Sequence, residues 1–368
     1  METVGAIVEQ LERLAPLSLA ADWDNVGLLL GDRGAEVRRI MTCLTVTPQT
    51  VAEALHRQAH LIVTHHPIFF KPLRRLTADR PEEAMLLSLA RAGVAVYSAH
   101  SAYDNTTGGI NEELARRLGL IEVQPLRPVS SSAKQLKLVV FVPADDLQRV
   151  SDAVFAAGAG CIGEYRECSY RLQGTGTFFG SEATNPTVGK KGQREEVPEV
   201  RLEVVCPESR VAQVVAAMRQ AHSYEEPAFD LYPLVSPPGK LGEGRVGQLL
   251  TPQTLAELAG HLRQSLRCGP VQVVGDLNKP VQRIAIACGA AGELLADALT
   301  TKADVFLSGE MRYHDYLHAQ TQGIGLILPG HYASERLGIE VLARQLAQRW
   351  PQIEVWASER ESDPVNWI

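Results

Sequence analysis

The sequence predicts an α/β protein, in which one discontinuous α/β domain with largely parallel sheets is interrupted by a ferredoxin-like α+β insertion. Three observations carry this expectation. Short apolar runs alternate with amphipathic stretches over the first third of the chain. In the middle the order of elements becomes βαββαβ, the split unit with both helices on one face of a small sheet. The first rhythm then resumes to the end, and 368 residues is too long for one ordinary core.

Residues 1–20 carry an amphipathic helical pattern with Glu9, Glu12 and Arg13 among apolar positions, and lack a signal peptide's basic start and apolar middle. Residues 39–46 read as a strand, 48–58 as a helix, 60–63 as a strand, 82–92 as a helix and 94–97 as a strand. That is βαβ rhythm, in which parallel strands are covered by helices. Pro125, Pro128 and the Ser130-Ser131-Ser132 run make 124–133 a connection. Strands follow at 136–142, 164–172, 199–205 and 228–234, with helices at 144–157 and 208–222. The glycine-rich polar stretch 174–196 predicts a long mobile loop. Ser236-Pro237-Pro238-Gly239 and the stretch 242–247 mark a second boundary. Helices at 255–266, 292–300, 315–322 and 334–349 then alternate with strands at 283–287, 305–308 and 325–328. The domains expected are 1–127 with 240–368, and the insertion 128–239; three domains in series is the alternative.

Composition narrows the function classes. Hydrophobic residues at 45% and charged residues at 21% are those of a folded globular chain. A net charge of −7 argues against a nucleic-acid surface, so a phosphate-bearing ligand needs a local site. The six cysteines are scattered without a C-x-x-C pair, which fits a reducing cytoplasm and suggests neither a disulfide framework nor a thiolate zinc site. No apolar run reaches membrane-spanning length.

Three segments carry chemistry, each placed after a predicted parallel strand, where α/β sheets gather their ligands. In the first, an apolar strand runs into His65-His66-Pro67. Successive strand residues face opposite ways, so both imidazoles reach one site only if the chain turns there, as Pro67 favours. An isolated His-His pair is as often a polar strand end. The second segment places His100 and Asp104 after residues 94–97, and the third runs from Gly330 through His331 to Glu335. A spacing of four puts His331 and Glu335 on one side of a helix that begins by Tyr332. Three histidines and two carboxylates exceed the needs of one tetrahedral ion with an open position. Two divalent ions, bridged by a carboxylate and by water, would use His65, His66, Asp104, His331 and Glu335 together.

These segments resemble the NGG-interacting-factor-like family, also labelled GTP cyclohydrolase I type 2 homologs. The matching words are Trp23-Asp24-Asn25-Val26-Gly27-Leu28, Val63 to Phe70, His100 to Asn111, Ser308 to His314, and Gly330 to Arg336. The resemblance implies a homohexameric toroid with a dinuclear centre (Zn, Fe, Mn or Ni) at those five ligands. It also implies that the insertion is a PII/CutA-like domain forming trimers, matched at Gly160 to Tyr165, Gly174 to Phe178 and His222 to Ala228. Where many members carry aspartate in the first strand this chain has Thr45, which removes a carboxylate acceptor for a ligand imidazole. Ser223 stands where the insertion commonly has proline.

His100, Glu310 and His314 lie in matching segments and are candidates for catalysis, as proton-transfer groups or as supports for the ligands; Glu310 and His314 serve equally well as structure at a helix start. His222 and Glu225 offer a second site or, more simply, shape the closing strand of the insertion. Two function classes follow. One is a metal-dependent hydrolase acting on a nucleotide or phosphoester through metal-activated water, as the GTP cyclohydrolase label suggests. The other is a non-catalytic metal-binding hexamer whose insertion senses a ligand or gates the cavity. Metal storage is disfavoured by the absence of soft cysteine ligands from the inferred site.

Overall fold

The structure, a computed structural model, describes residues 2–129, 135–235 and 239–366. The chain divides into two compact units, Met1–Val129 with Gly239–Ile368, and Ser130–Pro238. The serine run at 130–132 and the Ser236-Pro237-Pro238 run, both expected as connections, lie outside the described residues.

The larger unit contains two principal sheets. In the five-stranded one, Glu354–Ala357, Arg39–Cys43, Leu61–Thr64 and Ala95–Ser98 lie parallel in that order, and Gly27–Leu30 closes the edge antiparallel. In the six-stranded one the order is Gln272–Val274, Gly325–Leu328, Val305–Ser308, Pro280–Ala287, Arg245–Thr254, Ile121–Gln124. The three strands from Gly325–Leu328 to Pro280–Ala287 pair in parallel, and the three remaining pairings are antiparallel. The expectation of largely parallel sheets fits the first sheet, where only the Gly27–Leu30 pairing is antiparallel, and is corrected for the second, which is parallel only at its centre. Central strands are buried on both faces and so appear in sequence as unbroken apolar runs, whereas short edge strands do not.

One core joins the sheets. Ile40, Leu61 and Tyr97 of the first pack with Ile284, Val305 and Ile327 of the second through Ile110, Leu114, Leu337, Leu342 and Leu346. These last five belong to the helices Ile110–Arg117 and His331–Arg349. Truncating one such leucine to alanine costs about 2–5 kcal/mol, so the helix that begins at His331 is firmly seated. Five parallel strands from the two sheets end toward the same place, and are followed by His65, His100, Cys288, Gly309 and His331.

The smaller unit has an antiparallel sheet in the order Ser169–Phe179, Arg194–Pro207, Gln135–Pro143, Phe229–Leu234. The helices Leu147–Ala156 and Val211–Ala221 cover it through Val150, Val154, Val214 and Met218, against Leu138, Val140, Leu202 and Val204. The loop expected over 174–196 is shorter. Gly174 pairs with Glu199 and Phe179 with Arg194, leaving residues 180–193 as the connection. Ladder hydrogen bonds use backbone groups, so glycine weakens a strand without forbidding it. His222 spends both ring nitrogens locally: Nε2 lies 3.0 Å from the Phe141 carbonyl, and Nδ1 accepts from the Tyr224 amide at 3.0 Å. Glu225 accepts from the Asn185 amide. No described helix is long and apolar enough to cross a membrane.

Candidate metal centre

The chain turns after Leu61–Thr64 as the two imidazoles require. The His65 amide donates to the Cys43 carbonyl at 3.0 Å and the His66 amide to the Leu44 carbonyl at 2.8 Å. Ser98 Oγ donates to the His65 carbonyl at 2.7 Å, fixing the backbone where the side chains diverge from strand geometry. The two rings then stand 5.1 Å apart. His100–Asn105 forms a short helix that carries Asp104 one turn after His100. Gly330, at φ 99°, makes the left-handed entry that lets a helix start at His331, which brings His331 and Glu335 onto one side. Gly309 allows the approach, since a Cβ there would lie 2.6 Å from the Gly289 carbonyl and 3.0 Å from His331 Cα.

Five of the expected residues converge in two groups. His66 Nε2 and His331 Nε2 each lie 3.1 Å from Glu335 Oε2. On the other side of the same carboxylate, His65 Nε2 is 3.8 Å from Glu335 Oε1 and 3.7 Å from Asp104 Oδ1. Ligand atoms about 2.0–2.2 Å from one tetrahedral ion lie roughly 3.3–3.6 Å from each other, and the distances from Glu335 to His66 and His331 and from His65 to Glu335 and Asp104 are close to that range. His66, His331 and Glu335 form a cluster able to hold a metal ion, as do His65, His66 and His100. Both ring nitrogens of His65, His331 Nε2 and Glu335 Oε2 are buried without a hydrogen-bond partner. Buried polar atoms are nearly always satisfied, and a bound ion would satisfy such atoms within this cluster.

The electrostatics agree. Burial holds His65 well below the ordinary imidazole range, so it is neutral and its lone pair is available. Burial and the nearby Glu335 push Asp104 up, while Glu335 is held low because the close imidazoles of His331, His66 and His65 outweigh its own burial. Two buried carboxylates this close do not both ionise readily without added positive charge. His331 is raised to about 9, first by the adjoining Glu335 carboxylate and further by Glu310.

Neighbouring side chains orient the ligands. His331 Nδ1 lies 3.0 Å from Glu310 Oε1, the carboxylate–imidazole arrangement that fixes a ring and raises its basicity. His66 Nδ1 lies 2.8 Å from Thr45 Oγ1. The expected loss of an acceptor at position 45 is therefore corrected: the hydroxyl keeps the contact and gives up only the negative charge. Thr45→Val is expected to lower metal affinity about 10–100-fold with little change in the stability of the metal-free chain, checked by chelator competition alongside urea unfolding.

Several contributors were not foreseen from the sequence. Asp24 Oδ1 holds His100 Nδ1 at 2.7 Å, and Asp24 also accepts from the Ser101 hydroxyl. Burial would raise the Asp24 carboxyl, but these bonds win and set it at about 2. Cys288 Sγ donates to Asp104 Oδ1 at 3.2 Å; burial pushes this thiol well up, so it is present as S–H beside the candidate ligands. Buried Arg245 donates to the carbonyls of Asn105 and Thr106 at 3.3 and 2.7 Å, clamping the chain just after Asp104. Glu361 accepts from the Leu44 and Thr45 amides at 2.8 and 2.7 Å and pairs with Arg336 at 3.2 Å, steadying the turn that carries Thr45. Glu361→Ala is expected to destabilise the chain by about 3 kcal/mol, because it leaves Arg336 and two amides without this partner; the midpoint of urea unfolding reads it. His314 is not brought in. It is exposed on the helix Tyr313–Gln322, 5.9 Å from the Tyr313 ring.

Two cavities open on the cluster. One of about 800 Å³ is lined by Thr45, His66, Glu310, His331 and the segment 360–365. The other, of about 510 Å³, is lined by Trp23, Phe70, His100, Asp104, Cys288 and Glu335.

Fold and site define a mixed α/β protein with a buried histidine–carboxylate group, able to hold a metal ion, at the ends of its parallel strands. Residues 2–364 match the family model Duf34/NIF3 (NGG1p interacting factor 3), and the chain belongs to that family. It is 36% identical to the "GTP cyclohydrolase 1 type 2 homolog" of Halalkalibacterium halodurans over 98% of both chains, and 33% identical to that of Bacillus subtilis over 98% of both. Among solved structures it is similar to a Bacillus cereus protein related to NIF3, with a TM-score of 0.69 at 33% identity, covering 100% of this chain and 99% of that one. It is also similar to the Staphylococcus aureus protein SA1388, with a TM-score of 0.79 at 26% identity and the same coverage.

Proposed function

We propose that this protein holds two divalent metal ions and hydrolyses a nucleotide or phosphoester. The observation that carries the reading is the position of Glu335, whose Oε1 faces His65, itself 3.7 Å from Asp104, while Oε2 faces His66 and His331. One ion would sit with His65, Asp104 and Glu335, the other with His66, His331 and Glu335, through imidazole and carboxylate donors that suit Zn, Fe, Mn or Ni. A metal pair supplies hydroxide near neutral pH by acidifying bound water. Around it the chain does the rest. Glu310 and Thr45 hold the rings of His331 and His66, and Arg245 holds the turn after Asp104. His100, anchored through Nδ1 to Asp24, lines the 510 Å³ cavity beside the ligands and serves as the group that moves a proton to or from the reacting ligand. His314 has no contact with the site to support such a role.

The inserted unit is read as ferredoxin-like and PII/CutA-like, on the strand order and the two covering helices, and the assembly as a homohexameric toroid with the insertions as trimers, on family resemblance. Six free thiols fit the cytoplasm. A second reading, in which the insertion senses a ligand and the protein is not an enzyme, draws support from a cavity of about 300 Å³ within that unit, lined by Phe141, Phe178, Phe179, Tyr224 and Glu199. Metal-loaded protein assayed against nucleotides and phosphoesters separates the two. Turnover that disappears on chelation and returns with metal supports the hydrolase, and no turnover at full occupancy overturns it.

A further inference from the structure

Beside the candidate metal centre the chain leaves two large aromatic rings in solvent. Trp23 is 65% exposed and Phe70 52% exposed, and both line the 510 Å³ cavity whose floor includes His66, Asp104 and Glu335. Their ring centroids are 6.2 Å apart, and each lies 5.7 Å from the His100 ring. Exposed apolar surface of this size at a cavity wall marks a place where something binds.

The rings are held in place by the residues around them. Asp24, next to Trp23, is hydrogen-bonded to His100 and Ser101, and Asn25 donates from Nδ2 to the Phe69 carbonyl at 2.8 Å. The two aromatic segments are thereby tied to each other and to the helix that carries Asp104. A centroid gap of 6.2 Å is less than the roughly 7 Å that two stacking contacts need, so the pair is a platform for a ring stacked on its open face and not a slot around one.

Charge adds a second, independent feature. Phe70 is followed by Lys71, Arg74 and Arg75, all exposed, and none has an ion-pair partner among the described residues. In a chain of net charge −7 this is a local cationic segment that directly follows one ring of the aromatic platform in sequence. Aromatic stacking joined to a cationic track is how proteins hold a base together with its phosphate.

We infer that Trp23 and Phe70 stack the aromatic base of a nucleotide-class ligand at the mouth of the metal centre, with Lys71, Arg74 and Arg75 drawing its phosphate. The inference rests on the proposed hydrolytic reading only for the fate of the ligand; binding itself needs no turnover. It names what the substrate carries besides the bond to be broken, and it makes Trp23 and Phe70 specificity-determining.

The test is equilibrium binding to the full-length, chelator-treated protein, using the four nucleoside 5′-monophosphates, ribose 5-phosphate and the matching nucleosides. The expected result is that at least one nucleoside monophosphate binds, about tenfold or more tighter than ribose 5-phosphate and tighter than its own nucleoside. Trp23→Ala should weaken that binding about tenfold or more, Trp23→Phe should restore most of it, and both variants should keep wild-type metal content by elemental analysis. Equal binding of ribose 5-phosphate, or no effect of Trp23→Ala, overturns the proposal. So does a Trp23→Ala variant with a smaller assembly mass and unchanged nucleotide affinity, which would make the rings a contact between copies of the chain. Loss of metal sites in the wild type would instead contradict the dinuclear reading, and leaves this binding result separately readable.

Discussion

Glu335→Ala is expected to empty both halves of the metal centre at once. One carboxylate oxygen faces His66 and His331 at 3.1 Å, and the other faces His65 and Asp104's side of the site. Without it each of the two proposed ions would keep only two protein ligands, too few for tight binding of a borderline metal. Wild-type chain dialysed against excess metal should hold close to two equivalents, the variant close to none. His331→Ala should behave differently and lose only the ion on its own side. The fold should survive in both, because the ligands stand beyond strands whose buried faces lie elsewhere. In Glu335→Ala the raised Asp104 carboxyl also loses the nearby charge that helps to raise it. Elemental analysis with circular dichroism separates these outcomes. Equal metal content in both variants would contradict the shared-carboxylate arrangement.

Metal affinity is expected to climb steeply with pH. In the metal-free chain His331 is raised to about 9, so below that pH it carries a proton that an incoming ion must displace. Affinity should therefore rise roughly tenfold per pH unit between pH 7 and 9. Toward acid the dependence should steepen, because Asp104, also raised, then surrenders a second proton. His65, held neutral by burial, contributes none. The same proton carries an opposite sign for folding. A group whose native pKa is raised stabilises the fold below its unfolded value, and that stabilisation fades as pH rises through the native one. The metal-free protein should thus lose stability as pH rises from the ordinary imidazole range toward about 9, with the loss complete once that value is passed. Asp24, lowered to about 2, stabilises above the ordinary carboxylate range and loses its effect only as pH falls through that value. Calorimetric titration in buffers of different ionisation enthalpy counts the protons released, and an affinity flat between pH 7 and 9 would exclude the assignment.

What could be read in advance depended on the range of the interactions. The strands Val305–Ser308 and Gly325–Leu328 are apolar throughout and end at turn residues, so local pattern locates them. Gly27–Leu30, Ile121–Gln124 and Glu354–Ala357 are edge strands whose existence depends on partners remote in sequence, and no local pattern marks them. Arg245–Thr254 begins within a glycine-rich stretch that imitates a boundary. At the site, the candidate ligands were legible because each follows a strand and belongs to a residue type that binds metal. Their supports were not. Glu361 reaches Thr45 across 316 residues, and Cys288 reaches Asp104 across 184. Thr45 itself looked like a loss because its replacement contact is made by a hydroxyl, a group too common to signal a role.

The central claim is that Glu335 divides one cluster into two metal positions. Anomalous diffraction at the metal edge, from crystals of protein reconstituted with zinc or manganese, tests it most directly. Two peaks about 3.5–4 Å apart, one on the His65–Asp104 side of Glu335 and one on the His66–His331 side, are the expected result. A single peak, or two peaks that do not both contact Glu335, would contradict it.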